Sequence, residues 1–117
     1  MLSSAFNIAR SGLAAEALRV EVAASNIANA STPEYVPLQV EKTALGQSGG
    51  VAATVRPVVG TDLSATGPNV DIVSETTTLL QAQAAYEANL AVLVTVDDMM
   101  ETLLDVIGDK HSDEHAA

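Results

Sequence analysis

The sequence predicts a mainly α-helical protein, with long N- and C-terminal helices paired as an antiparallel coiled coil and a small irregular or β insert between them. Three observations support this fold class. All four prolines of the 117-residue chain fall between residues 33 and 68. Apolar residues recur every seven positions on both sides of that zone, which is the spacing of paired helices. Aromatic residues make up only 3%, which favours thin seams between helices over a bulky core.

The N-terminal region, residues 1–30, is predicted to be the first helix. It is rich in Ala and Leu, contains one glycine and no proline, and is closed by the turn-forming run from Asn29 to Pro33. Its apolar residues stand seven apart and form the first half of what we call the predicted seam: Phe6, Leu13, Val20 and Ile27.

Residues 31–70 form the insert. Val36, Leu38 and Val40 alternate with other residues, as do parts of the segment 51–59, and the glycine-rich run 46–50 lies between them. This pattern predicts a short β-hairpin. Proline at positions 37 and 57 confines the two strands to sheet edges, because proline cannot donate a ladder hydrogen bond.

Residues 71–108 are predicted to be the second coiled-coil helix. The segment 71–107 contains neither glycine nor proline, Gly108 is a natural stop, and residues 109–117 are a polar, flexible tail. In an antiparallel pair, the numbers of facing residues should add to about 101, which puts Leu13 near Ala88. The second half of the predicted seam consists of Ile72, Leu79, Tyr86, Leu93, Val96, Met100, Leu103 and Ile107.

Two polar features of this helix have alternative interpretations. Asn89 could lie inside the seam and fix the register, but a slightly rotated helix with Leu90 inside is favoured. The carboxylates between Asp97 and Asp105 could form a solvated face, or basic residues of a neighbouring chain could compensate them.

Composition excludes several classes of function. Fifteen acidic and five basic residues give a net charge of −10, which repels nucleic-acid phosphates and disfavours an anionic membrane surface. No apolar run approaches the ~18 residues of a membrane span, and the N-terminus does not look like a cleaved secretory signal. We therefore expect no nucleic acid, no membrane span and, if the protein leaves the cytoplasm, export without a cleaved signal.

No enzyme or cofactor site is expected. The sequence has no cysteine and no recognisable catalytic motif. His111 and His115, four apart, could share a metal on a helix, but the sequence suggests no third ligand. We expect neither a metal nor a cofactor.

Three stretches, in chain order, resemble the signatures of bacterial flagellar basal-body rod proteins. The first runs from an SGL sequence through NIAN to TPxY, the second is NVD before the C-terminal helix, and the third is Y-x-AN within it, followed by a Met-Met pair. The NVD opening and the Met pair are most similar to the proximal-rod C-type subunit. The matching residues are Ser11, Gly12, Leu13, Asn26, Ile27, Ala28, Asn29, Thr32, Pro33, Tyr35, Asn69, Val70, Asp71, Tyr86, Ala88 and Asn89.

The resemblance implies a structural subunit of the periplasmic flagellar rod that serves motility. It would assemble through its terminal helices with other rod subunits and with itself, after export by the flagellar type III apparatus. The alternative is a soluble helical adaptor or a secretion-chaperone-like binding module.

The chain departs from the family pattern at two places. Glu34 stands where the family usually has glycine, so the turn is either of another type or strained. The insert is also shorter than is typical of C-type subunits.

Overall fold

The computed structural model describes residues 1–64 and 67–115, with side chains up to residue 112. Helix α1 (Leu2–Ala28) is followed by strand β1 (Leu38–Ala44), a short 3₁₀ turn, strand β2 (Val51–Pro57) and helix α2 (Ile72–His115). The molecule is a rod of 83 × 25 × 15 Å. This arrangement confirms the mainly helical fold class, with a two-stranded antiparallel sheet between the helices.

Helices α1 and α2 pack antiparallel in the predicted register. Gly12 lies against the Asn89 side chain, and Asn26 donates a hydrogen bond of 3.1 Å to Glu75. Both pairs satisfy the expected sum of residue numbers. Because Asp97 and the described side chains after it are all exposed, the last third of α2 extends beyond the start of α1.

Small side chains, and not the large residues of the predicted seam, carry the contact between the helices. The buried residues of α1 include Ala9, Ala15 and Ala23, and Ala82 of α2 is fully buried. Small residues let the two backbones approach closely. The large residues of the predicted seam occupy columns beside this inner face.

The exposure of the predicted seam shows this rotation. Of its members, only Val96 is buried. Five are half-buried: Leu13, Val20, Ile27, Leu79 and Leu93. Six are exposed: Phe6, Ile72, Tyr86, Met100, Leu103 and Ile107. Asn89 is half-buried and Leu90 is 45% exposed, so the favoured interpretation of a helix with Leu90 inside was wrong.

The predicted helix stop at Gly108 is also wrong, because α2 continues through it to His115. A glycine ends a helix when it adopts positive φ, and Gly108 is not among the glycines that do. Within an exposed helix it costs only about 1 kcal/mol relative to alanine. Residues 109–115 are therefore helical, and residues 116 and 117 lie outside the described part.

The insert forms the predicted hairpin, with Leu38 opposite Pro57 at its base and Ala44 opposite Val51 at its tip. The tip packs on α1. A Cβ atom built on Gly49 would lie 2.7 Å from the Ile8 side chain, and Gly49 has φ = 73°, a conformation that favours glycine. Among the described residues, no helix is long and apolar enough to cross a membrane.

Candidate functional site

A first junction, centred on Asn26, joins the end of α1 to the insert and to α2. Asn26 is fully buried. Its Oδ1 accepts hydrogen bonds from the Tyr35 hydroxyl (2.8 Å) and the Leu38 N–H (2.9 Å). Its Nδ2 donates to the Leu38 carbonyl (2.7 Å) and to Glu75 Oε1 (3.1 Å). All four hydrogen-bonding positions of this amide are thus occupied.

The turn after α1 is held by the next residues of the same motif. The Asn29 side chain donates to the Ser25 carbonyl at 2.9 Å, and the Thr32 hydroxyl donates to Asn29 Oδ1 at 3.1 Å. Glu34 has φ = 58°, so the turn is strained, which was the second of the two predicted alternatives. A non-glycine residue in this region costs on the order of 1 kcal/mol or more.

The NVD sequence positions the start of α2 beside this turn. Asn69 Nδ2 donates to the Tyr35 carbonyl at 3.1 Å, and Val70 is buried. Asp71 Oδ1 accepts from the N–H groups of Val73 (3.1 Å) and Ser74 (3.3 Å). Asp71 is therefore the N-cap of α2, satisfying donors that have no partner within the helix.

Glu16 ties the hairpin to the middle of α1. It is 5% exposed, and its two carboxylate oxygens accept from Lys42 Nζ at 2.9 Å and from Arg19 Nη1 at 2.8 Å. Burial raises the pKa of this carboxyl, but the hydrogen bonds and charges of Lys42 and Arg19 outweigh burial and lower the pKa below its usual value. Glu16 is thus held in its charged form.

A second junction, at Ser11 and Gly12, joins α1 to the hairpin tip and to α2. The Ser11 hydroxyl donates to the Ile8 carbonyl (2.7 Å) and accepts from the Val51 N–H (3.1 Å). A Cβ on Gly12 would lie 2.6 Å from Asn89 Oδ1, so a larger residue here would have to displace the Asn89 side chain. Asn89 in turn donates to the Ala85 carbonyl at 2.9 Å.

The remaining motif and seam residues contribute surface. Ala28, Pro33 and Ala88 are exposed. On one side of the helix pair, Val20 of α1 and Leu79, Leu80, Tyr86 and Leu90 of α2 line an open apolar groove. Large members of the predicted seam thus form an outward apolar face that the chain itself does not cover.

The described residues offer no candidate metal site. They contain no group of three or more His, Cys, Asp or Glu side chains placed to hold a metal ion. Of the His111 and His115 pair, only the side chain of His111 lies within the described part. Asp97, Asp98, Glu101 and Asp105 are all exposed on the last third of α2.

Comparisons with known proteins agree with this arrangement. A family model described as flagella basal body rod protein matches residues 6–35, and one described as flagellar basal body rod FlgEFG protein C-terminal matches residues 64–106. Flagellar basal-body rod proteins FlgC from Salmonella typhimurium and Salmonella typhi are each 34% identical over 124 residues, covering 85% of this chain and 92% of theirs. FlgC of Escherichia coli O157:H7 is 32% identical over the same extent.

The chain belongs to the flagellar basal-body rod protein family. It is a FlgC-like member, which confirms the resemblance drawn from its motifs. The first matched segment contains Ser11, Gly12, Asn26 and Tyr35, and the second contains Asn89 with the NVD sequence. The bonding side chains of both junctions therefore lie in the two matched segments, while Leu38 and Val51, between those segments, contribute main-chain groups.

Sequence reasoning missed three residues that hold this rod protein together: Glu16, Lys42 and Glu75. Glu16 could have been found, because it is one of only two acidic residues in the 27-residue helix α1 and has Arg19 three positions later. Lys42 and Glu75 carry no such local signal, since their partners lie 26 and 49 residues away.

Proposed function

We propose that this protein is a structural subunit of the flagellar basal-body rod, assembling with other rod subunits and with its own copies through its terminal helices. It serves motility by carrying load in the assembled rod. The family supports assembly with rod subunits in the basal body. Three parts of this proposal come from the sequence resemblance: the location in the periplasm, the contacts between copies, and export by the flagellar type III apparatus without a cleaved signal.

The observation that carries the proposal is the apolar surface left open on both helices. On α2 alone, Met99, Leu103, Leu104 and Ile107 are between 49% and 69% exposed. Contiguous apolar surface of this kind marks an interaction site on a soluble protein. A subunit of a helical assembly would bury this surface against its neighbours through a repeating, non-closing interface.

The motif side chains support a structural role over a catalytic one. Asn26, Tyr35, Asn69 and Asp71 are all engaged in hydrogen bonds within the chain. Groups that saturate one another in this way hold elements together and leave no reactive atom directed at a substrate. We therefore propose that the protein has no enzymatic activity.

Motility and basal-body incorporation test this proposal. A strain lacking the gene should be non-motile, and the wild-type protein should restore motility and co-purify with basal bodies. Leu93→Asp should abolish both, because a charge beside the seam can be neither paired nor hydrated once packed. Replacing both His111 and His115 by alanine should change neither.

A second substitution separates assembly from folding. Leu103 is 50% exposed in the part of α2 beyond α1, so Leu103→Asp should leave the helix content of the isolated subunit unchanged and still block assembly. Ser112→Asp places the same charge nine residues further along, at an exposed position on the opposite side of the helix, and should assemble normally. If the wild-type protein instead stays in the cytosolic fraction bound to one partner at fixed stoichiometry, it is an adaptor and the proposal is wrong.

A further inference from the structure

Two neighbouring columns of α2 change from apolar or small to acidic along the helix. Residues seven apart share a column in paired helices. Apart from Glu87, the members of both columns between Leu80 and Val94 are uncharged, those from Asp98 to Asp105 are acidic, and all of them are exposed. The first column consists of Leu80, Glu87, Val94 and Glu101, and the second of Ala84, Ala91, Asp98 and Asp105.

The half of this face that ends at Val94, uncharged except for Glu87, borders the open groove. Leu80 belongs both to the first column and to the groove lining, where it accompanies Val20, Leu79, Tyr86 and Leu90. A helix laid along α2 would therefore meet mostly apolar surface over residues 79–94, interrupted by Gln83 and the Glu87 carboxylate, and mainly carboxylates over residues 98–105.

We propose that this face docks a helix of a different rod subunit, apolar where it meets residues 79–94 and rich in Lys or Arg where it meets Asp98, Glu101 and Asp105. This inference rests on the proposed function, and it adds the kind of partner that the face accepts. Charge complementarity fixes the register of such a contact, and apolar burial supplies most of its affinity.

A second copy of this chain fits the face poorly. Three of its five basic residues are already paired: Arg19 and Lys42 with Glu16, and Arg56 with Glu41. The other two are Lys110, which lies on α2 itself close to the acidic half, and Arg10, which is exposed near the start of α1. A chain of net charge −10 therefore has little positive charge to offer its own copy, and two acidic faces would repel each other.

The spacing of the carboxylates adds to this preference. Asp98, Glu101 and Asp105 are three and four residues apart, so they are neighbours on the helix surface and repel one another. A partner's cations would relieve this repulsion on binding, which a neutral or acidic helix cannot do. The face thus discriminates between partners by charge.

Binding measurements on purified subunits test the proposal. The probes are each of the other rod subunits of the same bacterium and this chain itself, measured at about 50 and about 500 mM salt. We expect at least one other subunit to bind, with a Kd that weakens about tenfold or more at the higher salt, and no self-association at low salt.

Variants then assign this salt dependence to the face. Glu101→Gln should weaken binding at low salt about 2- to 5-fold, and the triple change Asp98→Asn, Glu101→Gln, Asp105→Asn about tenfold or more. The triple variant should also lose most of its salt dependence. Glu41→Gln, the same substitution on the hairpin, should bind as the wild type does. Leu90→Ala should weaken binding by a similar factor at both salt concentrations.

Three results would overturn the proposal: binding to none of the other rod subunits, equally tight self-association at low salt, or a triple variant that binds as tightly as the wild type. The proposed function would fail differently, because the protein would then be absent from basal bodies. A triple variant that binds as the wild type does, from a protein that still enters basal bodies, would reject only the docking face.

Discussion

Asn26 is a residue at which three long-range hydrogen bonds converge. It satisfies Leu38 of β1 on both main-chain groups, and it also bonds Tyr35 and Glu75. Because the amide is fully buried, its removal would take away the partner of these groups inside the molecule. Each partner left unsatisfied in the interior would cost about 1–3 kcal/mol.

Asn26→Ala should therefore lower the free energy of unfolding by about 3 kcal/mol or more. Urea denaturation followed by circular dichroism measures this change. Asn7→Ala is the matched control, since Asn7 is exposed on the same helix, and it should change stability little. Equal effects of the two substitutions would show that the junction does not hold the fold.

Glu16 gives stability a defined pH dependence. Its folded-state pKa is lowered, so the folded protein binds fewer protons than the unfolded chain as this group titrates. Its stabilising contribution is therefore complete above the unfolded value of about 4.3 and is lost as the pH falls through the lower folded value.

Glu16→Gln should cost about 1–3 kcal/mol at neutral pH, because Lys42 and Arg19 lose their charged partner. The difference in unfolding free energy between variant and wild type should shrink as the pH falls below about 4. Urea titrations at several pH values measure this convergence. Glu21→Gln, at an exposed position of the same helix, is the matched control and should change stability little at neutral pH. A constant difference for Glu16→Gln would reject the ion-pair explanation.

Within the helix pair, glycine has opposite roles at two places. Gly12 lies so close to Asn89 that an added Cβ would approach Oδ1 to 2.6 Å, whereas nothing lies within 4 Å of a Cβ added to Gly108. Gly12→Val should therefore destabilise the protein by about 1–3 kcal/mol through overpacking. Gly108→Val should slightly stabilise it, because valine is the better helix former.

Thermal unfolding of the two variants measures this contrast. Combining Gly12→Val with Asn89→Ala should recover part of the loss, since the clash would then be relieved. If both glycine variants shift the melting temperature equally, close packing at Gly12 is not what the helix contact requires.

Large apolar residues predicted that the helices pair, but not which faces meet. Apolar residues seven positions apart, such as Leu13 on α1 and Leu93 on α2, were correctly interpreted as a sign that the helices pair. The antiparallel register followed from the short insert. The positions of large apolar residues could not predict which faces meet, because Ala82 and Gly12 at the contact have small side chains that let the backbones approach closely. Hydrophobicity counting favours large side chains, while close backbone approach favours small ones.

At the scale of the whole molecule, charge and open apolar surface oppose each other. A net charge of −10 holds free subunits apart, and the exposed apolar residues of α2 favour association. The isolated subunit should therefore be monomeric at low salt, with the end of α2 beyond α1 only partly helical. Raising the salt should increase helix content and promote self-association by screening the charges.

Circular dichroism and light scattering across a salt series measure both effects. The expected dependence is the reverse of that for docking a basic partner, which salt should weaken. A fully helical monomer that melts cooperatively at low salt would show that the chain needs no neighbours to order its helices.

The motifs were recognisable in the sequence, but the bonds they make were not. NIAN, TPxY and NVD predicted the family, and the structure shows that their polar atoms bond one another and the main chain. Glu75 and Lys42 were missed because hydrogen-bond partners 49 and 26 residues distant leave no local periodicity. Glu34 was the exception. Because glutamate stands where the family usually has glycine, a strained turn was one of the two predicted alternatives, and Glu34 does have a positive φ.

The position of the Asn26 junction also sets an order of folding. Its bonds to Leu38 span 12 residues, and the bond to Glu75 spans 49, so the turn can form first at low loop entropy and then capture the start of α2. From there the helix contacts can form one after another, because each further contact costs little additional loop-closure entropy once the first contact has formed. Opening should run in reverse, from Met1 and the residues near Met100. We therefore expect local stability to be lowest beside the uncovered apolar end of α2 and highest at the Asn26 junction. A neighbouring subunit that binds this end would then order the last part of the molecule to fold.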